Sequence, residues 1–282
     1  MEARRVLLDA LVGLKDHTKS LTLVGAQAVY LHTGTGNLAV APYTFDGDLA
    51  LDPRSLGDDP RIDAAMEAAG FRHSIVGGHP EPGIWVAAAE IGGQQYLVPV
   101  DLIVPEGFAP PGGSRGARLG PHGNRAARRA VGLEAALVDK DPMAITALDP
   151  VDSRTVTIDV AGVAALLVAK AHKIHDRVAS GKPGRVGDKD AADVVRMMQS
   201  TPIPAVTEHF GELLGHEIAG PPTSAAVSYL GELFGRRGGA GVQMAVRALT
   251  LALSEQQVET VSVAYTEALL QSVVDRPGRR GL

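Results

Sequence analysis

Cysteine is missing from the sequence, which removes disulfides and thiolate-held metals and is compatible with a reducing compartment. No apolar run reaches the length of a membrane span or of a signal-peptide core, and residues 1–19 carry charges throughout. A cytoplasmic protein with no membrane partner is therefore expected. An excess of positive charge is lacking too. The formal net charge is −5, so any contact with nucleic acid has to come from a local patch. Aromatic residues make up 4% of the chain, and few fall near its arginine-rich segment, so a base-stacking platform is not indicated there. Internal repeats and low-complexity tracts are absent. What remains is the composition of a folded protein. With 45% hydrophobic and 21% charged residues over 282 positions, the chain is long enough for two domains and too apolar to be largely disordered.

The stretch around which the chain is organised is Thr44-Phe45-Asp46-Gly47-Asp48-Leu49-Ala50-Leu51. Read as a strand, it puts Thr44, Asp46 and Asp48 on one face and Phe45, Leu49 and Leu51 on the other. Neighbouring carboxylates repel, and a hard divalent cation such as Mg²⁺ relieves the repulsion. The stretch is either a metal platform for phosphoryl or nucleotidyl transfer or a solvated strand edge that turns at Asp52-Pro53, since Asp-x-Asp is a common tripeptide. A further acid sits in Val98-Pro99-Val100-Asp101-Leu102-Ile103-Val104. There Val98, Val100, Leu102 and Val104 share one face, and Asp101 shares the other with Pro99 and Ile103. A charge in so apolar a strand needs a partner or a site. Asp101 is either ion-paired at a sheet edge or the third carboxylate of a centre with Asp46 and Asp48.

The surrounding elements follow from periodicity. Val6, Leu7, Ala10, Leu11 and Leu14 give an N-terminal amphipathic helix. Leu21-Thr22-Leu23-Val24 reads as a strand that enters a helix through Gly25-Ala26, a turn whose backbone N–H groups can approach a phosphate. A loop is expected over 36–42, a helix between Asp58 and Gly70, and strands over Phe71–Val76, Gly83–Ile91 and Tyr96–Val104, with a turn at Gly92-Gly93. From Glu106 to Gly132 the sequence reads as a mobile loop carrying Arg115, Arg118, Arg125, Arg128 and Arg129. It is either a solvated surface or a phosphate-contacting patch. After a strand at Thr155–Ile158, a helix is expected from Val160 to about Ser180. Lys170 falls on its apolar stripe, with Lys173 and Arg177 flanking the same side. Lys170 either snorkels to the surface or aims into a phosphate-holding cleft. In the second case Lys170→Met is expected to keep or raise the melting temperature while transfer falls. A Gly-Lys-Pro-Gly connection leads to a helix opened by Asp188-Lys189-Asp190, where acids also suit the helix dipole. The rest is helical in pattern up to a tail over 275–282.

In order and spacing, Val24-Gly25-Ala26-Gln27-Ala28, Thr44-Phe45-Asp46-Gly47-Asp48-Leu49, Val100-Asp101-Leu102-Ile103, Ala169-Lys170-Ala171-His172-Lys173-Ile174 with Arg177, and Asp188-Lys189-Asp190 with Asp193 resemble the AbiEii/AbiGii-type (MenT-like) nucleotidyltransferase toxin family. The resemblance covers most of the first two hundred residues. It implies an α+β fold: a polymerase-beta-like nucleotidyltransferase mixed sheet with helices over 1–155, then a helical C-terminal domain over 156–282. It also implies Mg²⁺-dependent transfer of a nucleotide from an NTP, with a tRNA 3′ end as acceptor for some members and a cognate antitoxin as partner. Asp46 and Asp48 match the family's paired acids, Lys170 its phosphate-binding lysine and Asp190 its later aspartate. The first motif departs from the wider pattern, having Gly25-Ala26 where Gly-Gly or Gly-Ser is usual. Within that scheme Asp46, Asp48 and Asp101 are the expected metal ligands. Gly25, Ala26, Thr44, Lys173 and Arg177 are expected at the nucleotide, and Asp190 is expected to orient Lys170 or the nucleotide. Two other classes stay open: a nucleotidyltransferase acting on a small molecule or a protein hydroxyl, and a non-catalytic nucleotide-binding protein.

Overall fold

In the computed structural model, which describes residues 1–34, 44–112, 115–181 and 187–275, the helical and alternating patterns sort into an α+β architecture. The chain divides into two compact units, one of Met1–Ala28 with Tyr43–Ala161, the other of Val29–Pro42 with Gly162–Leu282. The loop expected over 36–42, residues 182–184 of the expected connection and residues 276–282 of the expected tail lie outside the described residues.

The first unit begins with α1 (Glu2–Gly13), which buries Val6, Leu7, Leu8, Ala10 and Leu11 along one stripe. Each buried leucine contributes roughly 1.5–3 kcal/mol of transfer free energy. The fully buried β1 (Leu21–Val24) runs directly into α2 (Gly25–Thr33). Then come β2 (Gly47–Leu51), α3 (Ile62–Ala68), β3 (Arg72–Val76), β4 (His79–Ile91), β5 (Gln94–Pro105), β6 (Arg128–Ala130), β7 (Lys140–Thr146) and β8 (Thr155–Ala161). They form one mixed eight-stranded sheet in the order β3-β4-β5-β2-β1-β8-β7, with β6 paired to β5. The β2–β5, β1–β8 and β5–β6 pairs are parallel, whereas β1–β2, β3–β4, β4–β5 and β7–β8 are antiparallel. The β4–β5 hairpin turns at Gly92-Gly93, where φ is +60° and +80°, the backbone that a two-residue hairpin turn demands and that glycine alone adopts without cost.

Alternation decides the faces. Val98, Val100, Leu102 and Val104 are buried, and a Cβ at Gly47 would lie 3.1 Å from a Leu7 methyl. The core helix α1 therefore covers the face of Gly47, Leu49 and Leu51, and Asp48 and Asp101 occupy the other. At Gly83 the β4 edge gives way to β6. A Cβ there would fall 2.3 Å from the Arg128 nitrogen and 2.5 Å from the Leu102 carbonyl, and the Gly83 N–H donates to the Arg125 carbonyl at 2.8 Å. With φ at +72°, only glycine lets β6 dock on β5 with Ile103 opposite Arg128.

Three expectations are corrected. Thr44, Phe45 and Asp46 precede β2 rather than extending it, so Thr44 and Asp46 do not share a strand face with Asp48, and Phe45 is exposed. The segment Glu106–Gly132 is not a loop throughout. Its described residues include β6 and short 3-10 turns at Glu106–Phe108 and Gly120–His122, with Ala117, Leu119, Ala126 and Ala127 buried. Val160 belongs to β8, and the helix opens at Val163. β7 had no counterpart in the sequence pattern, because Lys140-Asp141-Pro142 opens it with two charges and a proline, which an edge strand tolerates.

The second unit contains α4 (Val163–Ser180), α5 (Asp188–Ser200), α6 (Ile203–Gly215), α7 (Gly220–Phe234), α8 (Ala240–Leu249) and α9 (Glu255–Val274). The breaks are chemical. Gly181 ends α4 in the left-handed region, Pro202 precedes α6, and Ser254 with Gln257 forms a reciprocal capping box at α9. Val194, Met197, Phe210, Leu213, Leu230, Phe234 and Leu269 form its core. Among the described residues no helix is long and apolar enough to cross a membrane.

Candidate active site

The strand-to-helix junction places the first acid. β1 and β2 pair so that Val24 lies opposite Asp48, and the next residue, Gly25, opens α2 at φ +69°. A Cβ built there would lie 2.0 Å from Asp48 Oδ2 and 2.8 Å from its Cγ. The Asp48 carboxylate thus rests directly on the bare Cα at the head of a helix, where the dipole favours negative charge. Gly25→Ala is expected to cost about 1–2 kcal/mol from the left-handed backbone alone and to push the carboxylate aside. Urea unfolding measures the first effect. Wild-type stability together with an unmoved Asp48 in a structure of the variant would refute it.

Because β2 and β5 are parallel with Asp48 opposite Asp101, these two acids stand side by side on neighbouring strands and on the same face. Asp101 accepts two hydrogen bonds from Arg128, at 3.2 Å from Nε and 2.9 Å from a terminal nitrogen. Arg128 reaches it diagonally, since its strand partner is Ile103. The ion pair left open by the sequence is therefore present, but in the interior of the sheet rather than at its edge, since Asp101 lies between Asp48 of β2 and Ile84 of β4. Among the described residues no group of three or more His, Cys, Asp or Glu side chains is placed to hold a metal, so the three-carboxylate centre is not assembled while Arg128 holds Asp101.

Asp46 lies outside the strand and is fixed by side chains. Thr44 donates its hydroxyl to the Asp46 carboxylate, and Gln27 Nε2 donates to the Asp46 carbonyl at 3.0 Å. Gln27, only 3% exposed, also donates to the Ala3 carbonyl at 3.2 Å and accepts from Arg4 Nε at 2.7 Å. Arg4, itself buried, donates onward to the Thr146 carbonyl at 3.1 Å. Gln27, Arg4 and Arg128 are residues that sequence reasoning did not assign to the site. For Arg128 the signal was the need of Asp101 for a cation; for Gln27 it was a buried amide on the helix that follows Gly25.

The arginine-rich segment is largely paired with acids. Arg115 meets Glu81 at 3.2 Å, Arg128 meets Asp101, and Arg129 meets Glu106 at 2.5 Å. Arg118 and Arg125 are exposed.

The second unit gathers the remaining candidates around one carboxylate. Lys170 is buried, and its ammonium donates to Asp190 Oδ1 at 2.6 Å and Asp193 Oδ2 at 2.7 Å. Lys173 meets Asp190 at 3.2 Å, and Arg177 bonds its other oxygen. Burial by itself would lower the Lys170 pKa, but Asp193 and Asp190 outweigh it and hold the ammonium charged above its ordinary range. Burial would likewise raise the Asp190 carboxyl, which Lys170, Lys173 and Arg177 instead hold well below the usual carboxylate range. Snorkelling is thereby excluded for Lys170. Asp193, buried beside it, joins the cluster as a residue not assigned from sequence.

No protein-family model matches the chain, and no curated protein matches it in sequence. Among solved structures, the solution structure of the antibiotic-resistance factor ANT(2'')-Ia is similar over 74% of this chain and 90% of that one, at 14% identity and a TM-score of 0.36. A likeness that faint carries no inference about activity, so the functional reading rests on the geometry above.

Proposed function

We propose that the acidic ledge of the first unit is a nucleotidyl-transfer site, at which an acceptor hydroxyl displaces pyrophosphate from an NTP. The observation behind the reading is the register that sets Asp48 beside Asp101 on parallel strands, with the glycine head of α2 against the Asp48 carboxylate. The leading N–H groups of a helix have no intrahelical acceptors, so those of Gly25 and Ala26 suit a phosphate. Asp46 and Asp48 offer the all-oxygen donor set that Mg²⁺ requires, and Thr44 and Gln27 keep Asp46 in place. These two acids fit the ion; Asp101 joins them only on release from Arg128. When bound, Mg²⁺ supplies charge neutralisation at the phosphoryl oxygens. Asp101, once released from Arg128, would accept the proton of the attacking hydroxyl. In the second unit, Lys170, Lys173 and Arg177 surround the Asp190 carboxylate, and a nucleotide contact for Lys173 and Arg177 rests on the family resemblance alone.

For the acceptor, the ion pairs of Arg115, Arg128 and Arg129 favour a hydroxyl on a small molecule or a protein, because arginines already paired with acids neutralise phosphates poorly. The tRNA 3′ end and the toxin–antitoxin role implied by the family resemblance make the opposite demand. Labelled NTPs with Mg²⁺ and either total tRNA or small-molecule and protein acceptors separate the two. Reversing Arg128 or Arg129 would set new carboxylates against Asp101 and Glu106, so Arg118→Glu with Arg125→Glu is the informative double variant. It is expected to transfer nucleotide as the wild type does. Labelled tRNA whose formation collapses in the variant, with the salt slope of RNA binding reduced by roughly two, would install RNA as the acceptor.

A further inference from the structure

We propose that Gln27 is a positioning residue of the acidic ledge, setting the place of Asp46 through its backbone carbonyl; this rests on the nucleotidyl-transfer reading. Asp46 stands just before β2 and outside the named strands, so the sheet register that places Asp48 and Asp101 does not extend to it. Its carbonyl meets the buried Gln27 amide at 3.0 Å. The amide has one possible orientation: Arg4 can only donate, so the Gln27 oxygen must face it, and the Ala3 and Asp46 carbonyls can only accept, so the nitrogen must face them. Gln27 is thus a three-point brace. One point is the guanidinium of α1, one the backbone of α1, and the third is the residue that would carry a metal ligand. Any rotation of the amide breaks at least one bond inside the core, where a polar group left unmet is costly. The spacing of Asp46 from Asp48 is therefore set at α1 and α2 as well as at the strand. A change at Gln27 would reach the ligand pair without touching either carboxylate.

Glutamate at this position separates positioning from folding. Gln27→Glu keeps an oxygen for Arg4 and turns that contact into an ion pair, yet it removes both N–H bonds and sets a carboxylate oxygen against the Ala3 and Asp46 carbonyls. Gln27→Met keeps the volume and removes all three bonds. Mn²⁺ alone, titrated calorimetrically into the wild type and both variants, gives metal affinity without turnover, and thermal melts report folding. The wild type is expected to bind Mn²⁺. Gln27→Glu is expected to bind it at least tenfold more weakly, the scale seen when groups supporting metal ligands are removed, with a melting temperature below the wild type's, since two buried carbonyls lose their donor, and a cooperative melt above the titration temperature that shows it folded. If Gln27→Glu does not fold, Gln27→Met carries the same expectation for affinity. Equal Mn²⁺ affinity in the wild type and a folded variant would overturn the positioning role and leave the nucleotidyl-transfer reading standing. Absence of Mn²⁺ binding in the wild type would overturn the transfer reading itself and the inference with it.

Discussion

Asp48→Ala is expected to abolish nucleotide transfer, a fall of at least 10²–10³-fold in turnover, while the protein stays folded. The magnitude is that of deleting one element of a preorganised electrostatic site. The sparing of the fold follows from the face on which Asp48 lies. Leu49 and Leu51 are buried on the side covered by α1, and the backbone pairing of β2 with β1 and β5 does not need the carboxylate. Alanine also fits beside Gly25, where the present contact leaves no room for a larger neighbour. Asp46→Ala is expected to match it in activity, since both acids would hold the same ions. Turnover like that of the wild type in either variant at saturating Mg²⁺ would remove the metal reading altogether. Asn at position 48 is the control for shape: it keeps the volume against Gly25 and removes the charge, so activity lost in both Ala and Asn variants assigns the effect to the carboxylate.

What the sequence made legible was whatever a short period encodes. The stripe of α1, the turn at Gly92-Gly93, and the placement of Asp101 on the face opposite Val98, Val100, Leu102 and Val104 all follow from spacing of 3.6 or 2 residues, and the structure has each of them. What was hidden depends on partners far along the chain. Asp46 is held by a residue 19 positions earlier and Asp101 by one 27 positions later, and neither distance leaves a periodic trace. The arginines looked like a solvated loop because β6 is three residues long, too short to alternate, and because Glu81, Asp101 and Glu106 come from other segments. In α5 the acids at 190 and 193 had an available signal: residues three apart share a helix face. Their position in the first turn masked it, since acids are favourable there for the dipole alone.

Lys170→Met is expected to destabilise the helical unit by about 3–5 kcal/mol, the cost of removing one partner from a buried ionic group. That reverses the sequence expectation of an unchanged or higher melting temperature, which treated Lys170 as a desolvated charge without a partner. The ammonium in fact joins α4 to α5 through Asp190 and Asp193, and methionine would leave Asp193 buried without that cation. Asp190 would keep Lys173 and Arg177, so the loss concentrates on Asp193. The pH dependence identifies the cause. Asp190 titrates below its ordinary 3.8 when folded, so its contribution is present above that value and is lost as the pH falls through the depressed folded pKa. Lys170 titrates above its ordinary 10.5, so its contribution is complete below 10.5 and is lost as the pH rises further. The stability gap between wild type and Lys170→Met should therefore be widest between about pH 5 and 9 and narrow towards both extremes. Denaturant unfolding followed by helix signal across that range measures it. A double change, Lys170→Met with Asp193→Leu, removes the stranded charge together with the cation and should recover most of the loss, because apolar groups of matching volume can replace a buried pair with little penalty. A single variant as stable as the wild type, or a gap that does not change with pH, would show that the cluster does not hold α4 to α5 and would return Lys170 to the phosphate-binding role that the family resemblance implies.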